Sequence, residues 1–225
     1  MRSDRSPSLA SSQSLLALVI LSGMALAISI QSPSKIAAAY AADLSRLPLL
    51  FPATTAVFLG VFAMTRGAAV AARTTVRRLR WATVLLLGEN IFCAIALLIP
   101  YFVFSRAVVP AGGGGIALAL VYMVPSCFFF ALLSFGLEVR HRQGKRGSFA
   151  LRYSLYLLLC GVPIGLSALT SLPPVVASLS PIGVTLQMVR GAETSEIVVG
   201  LLAPVVGILV SVIFLRRIGR RPHAI

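Results

Sequence analysis

Residues 74–90 read TTVRRLRWATVLLLGEN, and the fold turns on how this stretch is understood. Arg77, Arg78 and Arg80 crowd against Trp81, an apolar run follows at once, and a carboxylate, Glu89, sits inside that run. In a water-soluble domain the arginines would be a solvated face and Glu89 part of an exposed turn. Composition excludes that reading. Of the 225 residues, 58% are hydrophobic and only 12% charged, with a mean hydropathy of +0.94, far from soluble averages. The arginines then form the lip of a membrane span, and Trp81 lies at the interface, where an amphipathic ring is comfortable.

Outward from this stretch, six apolar runs are long enough, or nearly so, to cross roughly 30 Å of hydrocarbon as helices. They lie at about 15–30, 47–64, 81–104, 115–137, 151–170 and 197–215. The expected fold is an all-α integral membrane protein forming one transmembrane domain. The first run follows Arg2 and Arg5 and precedes small residues at 37–41, as a cleaved leader would. A polar patch with Lys35 separates that small-residue stretch from the run, so a retained span is the preferred reading.

The net charge of +14 reports topology rather than nucleic acid, because almost every segment of surface size is apolar. With both termini inside, the cytoplasmic pieces take the basic clusters at 66–80, 140–152 and 216–221. Only Lys35, Arg46, Arg106 and Arg190 of the 20 cations are left outside, as the positive-inside rule requires. An odd number of spans would expose one of the most basic regions.

Several features belong to helix packing. Ala203, Gly207 and Ser211 stack at spacing four in the last span, and Gly161 and Gly165 form a GxxxG around Pro163. Such small-residue faces let another helix approach closely, within the bundle or across a subunit interface. Pro100, Pro125, Pro163 and Pro204 are expected to bend their helices. In the connection 66–80, Arg66, Arg73, Arg77 and Arg80 fall on one helical face. That predicts a short amphipathic cytoplasmic helix, lying at anionic headgroups or presented to a cytoplasmic protein.

Chemistry is sparse. Glu89 is the one acid well inside a span, with Asn90 beside it; a charge there costs about 2.5–3.5 kcal/mol, so it is expected to face the bundle interior, a water-filled cavity or a partner charge, or to be protonated, either lining a solute path or as a neutral, hydrogen-bonded acid. His141 and His223 lie outside the spans, and Cys93, Cys127 and Cys160 are separate, so no metal site is expected. No serine elbow, HExxH or phosphate-cradling loop is present, which argues against an enzyme and against a cofactor.

The segment LSPIGVTLQMVRG at 179–191, followed by the final span and the basic tail FLRRIGRR at 214–221, is similar to the C-terminal end of ABC-2 type permeases. In that family a Ser-Pro opens a short external helix before the last span, and arginines close the chain. Six spans, short loops and a basic connection between spans two and three also resemble it. The resemblance implies a plasma-membrane exporter subunit that pairs with an identical or related permease, and the eighteen arginines to two lysines point to a bacterial source. A separate cytoplasmic ATP-binding subunit would drive it, docking on Arg66, Arg73, Arg77, Arg78 and Arg80. Family members often carry a glutamate-rich stretch with Gly-Thr after the second span, whereas this chain has RGAAVAARTTVRRLR at 66–80. A mostly apolar interior with Glu89, Asn90 and Gln187 suits an amphiphilic or hydrophobic solute. A self-contained secondary carrier and a membrane scaffold or immunity protein are the alternatives. Residues 171–196 stay open between a loop and a half-buried external helix.

Overall fold

The computed structural model describes residues 47–73, 83–85, 87–89, 91–92, 95, 113–142, 149–169, 174–190 and 194–220. Every regular element among them is helical: α1 (Leu47–Arg73), α2 (Gly113–Arg142), α3 (Phe149–Leu169), a 3₁₀ turn (Pro174–Leu179), α4 (Pro181–Arg190) and α5 (Thr194–Arg220). Three of these helices hold stretches long and apolar enough to cross a membrane, Thr55–Ala72, Ala117–His141 and Thr194–Arg217, and α3 carries a shorter one, Leu151–Ser167. The expected first run, 15–30, lies outside the described residues, and of the third run only helical turns between 83 and 95 are described.

The helices overrun the spans that hydropathy predicts. α1 does not stop at Met64 but continues through Arg66 to Arg73. Hydropathy drops where a charge appears, whereas helical hydrogen bonding continues, and Ala68, Ala69, Ala71 and Ala72 favour it. Likewise α2 runs to Arg142 and α5 begins at Thr194. Pro125, Pro163 and Pro204 sit inside continuous helices.

Packing is set by backbone-to-backbone approach. On α1, Ala63, Gly67 and Ala71 repeat at spacing four, and all three are buried. A side chain on Gly67 would collide with the Ala131 carbonyl of α2, so the two helices cross in near contact. Leu59, Phe62, Phe130, Leu132 and Phe135 fill the space around that crossing. α5 meets the other side of α2 through Gly207, where a Cβ would stand 2.7 Å from the Phe129 ring, and Ser211 is buried on the same stripe.

α3 joins this core through one large side chain. Tyr156 packs edge-on against Phe130, with ring centroids 4.9 Å apart, and its hydroxyl donates to the Val57 carbonyl at 3.2 Å. Gly60 makes room for that hydroxyl, because a Cβ there would overlap it. Gly60→Ala is expected to push Tyr156 out of its hydrogen bond and lower stability by about 2 kcal/mol, read from thermal unfolding in detergent.

The 73/142/149 ends of these helices carry a polar layer. Arg152 of α3 donates to Glu138 of α2 at 2.9 Å, with both side chains 13% exposed. Thr65 and Tyr153 are hydrogen-bonded one residue further along at 3.1 Å. Glu138→Gln should cost about 2 kcal/mol, since the guanidinium would lose its counter-charge in a poorly solvated place. The double change with Arg152→Gln should recover part of that loss.

Candidate functional site

Within 171–196 the described residues 174–190 form a 3₁₀ turn and a largely buried helix, so of the two expectations the half-buried helix is the one found. Ser180 separates the 3₁₀ turn from α4 and caps α4: its hydroxyl accepts from the Gly183 amide at 3.5 Å, and its carbonyl accepts from the Val184 amide at 2.9 Å. Pro181 follows as the first helical residue, where its missing N–H costs nothing and its fixed φ suits the helix. The chain folds back here tightly enough that a side chain on Gly183 would strike the Ala177 carbonyl. The 3₁₀ turn and α4 together make a helical hairpin with Ser180 at its corner.

Three contacts measure how far the hairpin reaches down its neighbours. The Ser180 hydroxyl donates to the Cys160 carbonyl at 2.6 Å, about 14 Å below the Leu169 end of α3 at about 1.5 Å per residue. Gln187 donates through Nε2 to Glu196 in the first turn of α5 at 3.3 Å. One turn deeper, Gly200 of α5 lies against Val184, whose Cγ2 would be 2.8 Å from an added Cβ. α4 therefore descends antiparallel to α5, and its 10 residues span about 15 Å. The corner at Ser180 reaches roughly the middle of both α3 and α5.

The interior contacts explain the sequence. Val184 and Met188 pack against Ala119 and Tyr122 of α2, with Ile197 and Leu201 alongside. Ser178, Ser180 and Thr185 are buried polar residues with hydrogen bonds. Ser178 donates to the Gln187 side-chain carbonyl, and Thr185 donates back to Pro181 at 3.0 Å. Pro163 lies one turn beyond Leu159 and removes a donor from α3 beside Cys160. The Ser180 hydroxyl thus binds the helix where a proline disturbs its ladder.

The structure separates the residues expected to line one path. Gln187 belongs to the hairpin cluster Ser178–Gln187–Glu196. Glu89 does not: Thr83, Leu87 and Ile91 are buried on one face of its helical turns, while Glu89 is exposed on the opposite face with Leu85 (56%) and Phe92 (72%). Of the expected surroundings of Glu89, the chain's own packed interior is not the one its described turns give it. The reason is helical phase, because a span with two apolar faces does not reveal which one is inward. Asn90 lies outside the described residues.

Arg66 is likewise not presented on a connecting helix: it lies inside α1 and is 3% exposed. Arg73 closes α1, while Arg77, Arg78 and Arg80 lie outside the described residues. Of the small-residue stripes, Ala203–Gly207–Ser211 serves packing within the chain, with Gly207 against Phe129 of α2 and Ser211 buried. Gly161 and Gly165 do not, since nothing stands within 4 Å of a Cβ at either position and Leu157, Val162 and Leu166 around them are exposed. Sequence reading missed Ala63–Gly67–Ala71, which shows the same spacing of four, and Glu196, whose importance depends on Gln187 arriving beside it. Among the described residues, no group of three His, Cys, Asp or Glu side chains is placed to hold a metal.

No family model matches the chain, and no curated protein or solved structure matches it. The class defined by the described residues is all-helical, with three helices fit to span a membrane and a buried helical hairpin between α3 and α5.

Proposed function

We propose that the chain is the membrane-spanning permease subunit of an ATP-driven exporter in the plasma membrane, moving an amphiphilic or hydrophobic solute. It would work as a dimer and be energised by a separate cytoplasmic ATP-binding subunit. The observation that carries this reading is the Ser180 corner bonded to Cys160 halfway along α3. If α3 and α5 cross the bilayer, the hairpin ends near its midplane. A chain reversal at that depth is tolerated only where protein buries it or a water-filled cavity adjoins it, and a scaffold that only packs has no need of one. The helical corner before the last span also fits the ABC-2 permease pattern.

Burial of Arg66 narrows the proposed docking surface to Arg73, Arg77, Arg78 and Arg80. α1 is then a rigid rod whose base receives a push and whose shaft lies against α2 and α4. A partner permease is supported by the outward Glu89, since a carboxylate between Leu85 and Phe92 is costly against hydrocarbon, at about 2.5–3.5 kcal/mol. The test is purification from its own host in mild detergent. A stoichiometric chain carrying a GxxxxGK[ST] motif, with ATPase activity, is the expected result. The chain alone driving proton-coupled dye uptake in liposomes would overturn the reading in favour of a secondary carrier.

A further inference from the structure

We infer that the C-terminal ends of α2 and α5 form a binding site for one anionic phospholipid, its phosphate held between Arg140 and Arg217 and an acyl chain laid along α5. The site rests on α2 and α5 crossing a membrane and not on the permease reading.

Two glycine contacts fix the geometry. Gly207 of α5 stands against the Phe129 ring of α2, and further along, a Cβ on Gly136 of α2 would lie 3.2 Å from Leu215 and 3.7 Å from Phe214. Both helices advance in the same direction between these contacts, so they run parallel and bring their C-terminal ends to one side. Arg140 stands one turn past Gly136, about 40° around α2, and Arg217 three residues past Phe214, about 60° around α5. Both arginines are exposed. Packed helices lie about 8–10 Å apart, a gap that two long side chains can close onto one phosphate from either side.

Charge then calls for an anion. Residues 134–152 and 206–225 hold nine Lys and Arg but a single acid, Glu138, and that acid is bonded to Arg152 at 2.9 Å. Neither Arg140 nor Arg217 has a carboxylate partner among the described residues. The balancing charge comes from outside the chain, and the guanidinium fork matches phosphate oxygens.

The face of α5 that leads to Arg217 makes the occupant a lipid rather than free phosphate. Val206, Val210 and Ile213 are all exposed and share that face with Arg217, at spacings of four, three and four. From Val206 to Arg217 the stripe is about 16 Å long, close to the roughly 15 Å of one leaflet's hydrocarbon. An acyl chain lying on it delivers its headgroup to the arginines.

The test is native mass spectrometry of the full chain in mild detergent, titrated with phosphatidylglycerol or with phosphatidylcholine of the same acyl chains. One phosphatidylglycerol per chain is expected to bind in preference to phosphatidylcholine. Arg140→Gln with Arg217→Gln should weaken phosphatidylglycerol about thirtyfold, or about fivefold per cation at a headgroup. Phosphatidylcholine binding should stay as in the parent, which shows that the variant is folded. Arg2→Gln with Arg5→Gln removes the same charge elsewhere and should leave phosphatidylglycerol binding unchanged. Equal binding of the two lipids, or equal weakening by the two pairs of substitutions, overturns the site. Displacement of phosphatidylglycerol by an equal concentration of glycerol 3-phosphate would show a free phosphate site and overturn the lipid. No readout requires the ATP-binding subunit, so failure of the permease reading leaves the result standing.

Discussion

Gly67→Ala is expected to destabilise the protein by about 3 kcal/mol, the largest loss from adding a single methyl group at any glycine described. The new Cβ would overlap the carbonyl oxygen of Ala131, and a backbone atom in the middle of α2 cannot rotate aside as a side chain can. α1 and α2 must then separate along their whole crossing, opening gaps around Ala63, Phe62 and Phe130, which are packed there without exposure. In lipid such gaps remove the van der Waals contacts that hold helices together. The measurement is thermal unfolding in detergent, with Gly161→Ala as its counterpart. Nothing lies within 4 Å of a Cβ at Gly161. That change should be neutral or stabilising by up to about 1 kcal/mol through helix propensity. A loss at Gly161 instead would show that a second subunit packs on α3 in the assembly.

Gly183→Ala is the second large effect, and it acts at the corner of the hairpin. Its Cβ would strike the Ala177 carbonyl across the corner, so the 3₁₀ turn and α4 cannot both keep their places. About 2–3 kcal/mol of stability should be lost, read from thermal unfolding in detergent. The loss reaches the rest of the bundle, because Val184 and Met188 of α4 share a buried cluster with Ala119 and Tyr122 of α2. Equal unfolding temperatures for Gly183→Ala and the parent would mean that the corner relaxes around a methyl group.

The two glycines differ in how visible they are. Gly67 sits in Ala63-x-x-x-Gly67-x-x-x-Ala71, a spacing that can be read in the chain as easily as Ala203–Gly207–Ser211. It was obscured because Arg66 next to it looks like the start of a polar connection. Arg66 is buried all the same, in a helix whose alanines carry it onward. Gly183 has no such spacing. Its role depends on Ala177 folding back against it, a contact made by the Ser180–Pro181 corner. Gln187 was noticeable as a polar residue among apolar ones, but its partners Ser178 and Glu196 each stand nine positions away and on different elements.

Composition and apolar run length were enough to determine the helical class and the rough positions of α1, α2, α3 and α5, because satisfying backbone groups in hydrocarbon leaves a chain this apolar few alternatives to helix. Small residues four apart also marked which faces can touch. What they touch was decided by the tertiary structure: Gly207 found Phe129, Gly161 found open space, Glu89 turned outward and Arg66 inward. Helical phase and depth of insertion depend on neighbours far away in the chain. The hairpin with its corner at Ser180 is held in place only because Cys160, Gly200 and Glu196 converge on it.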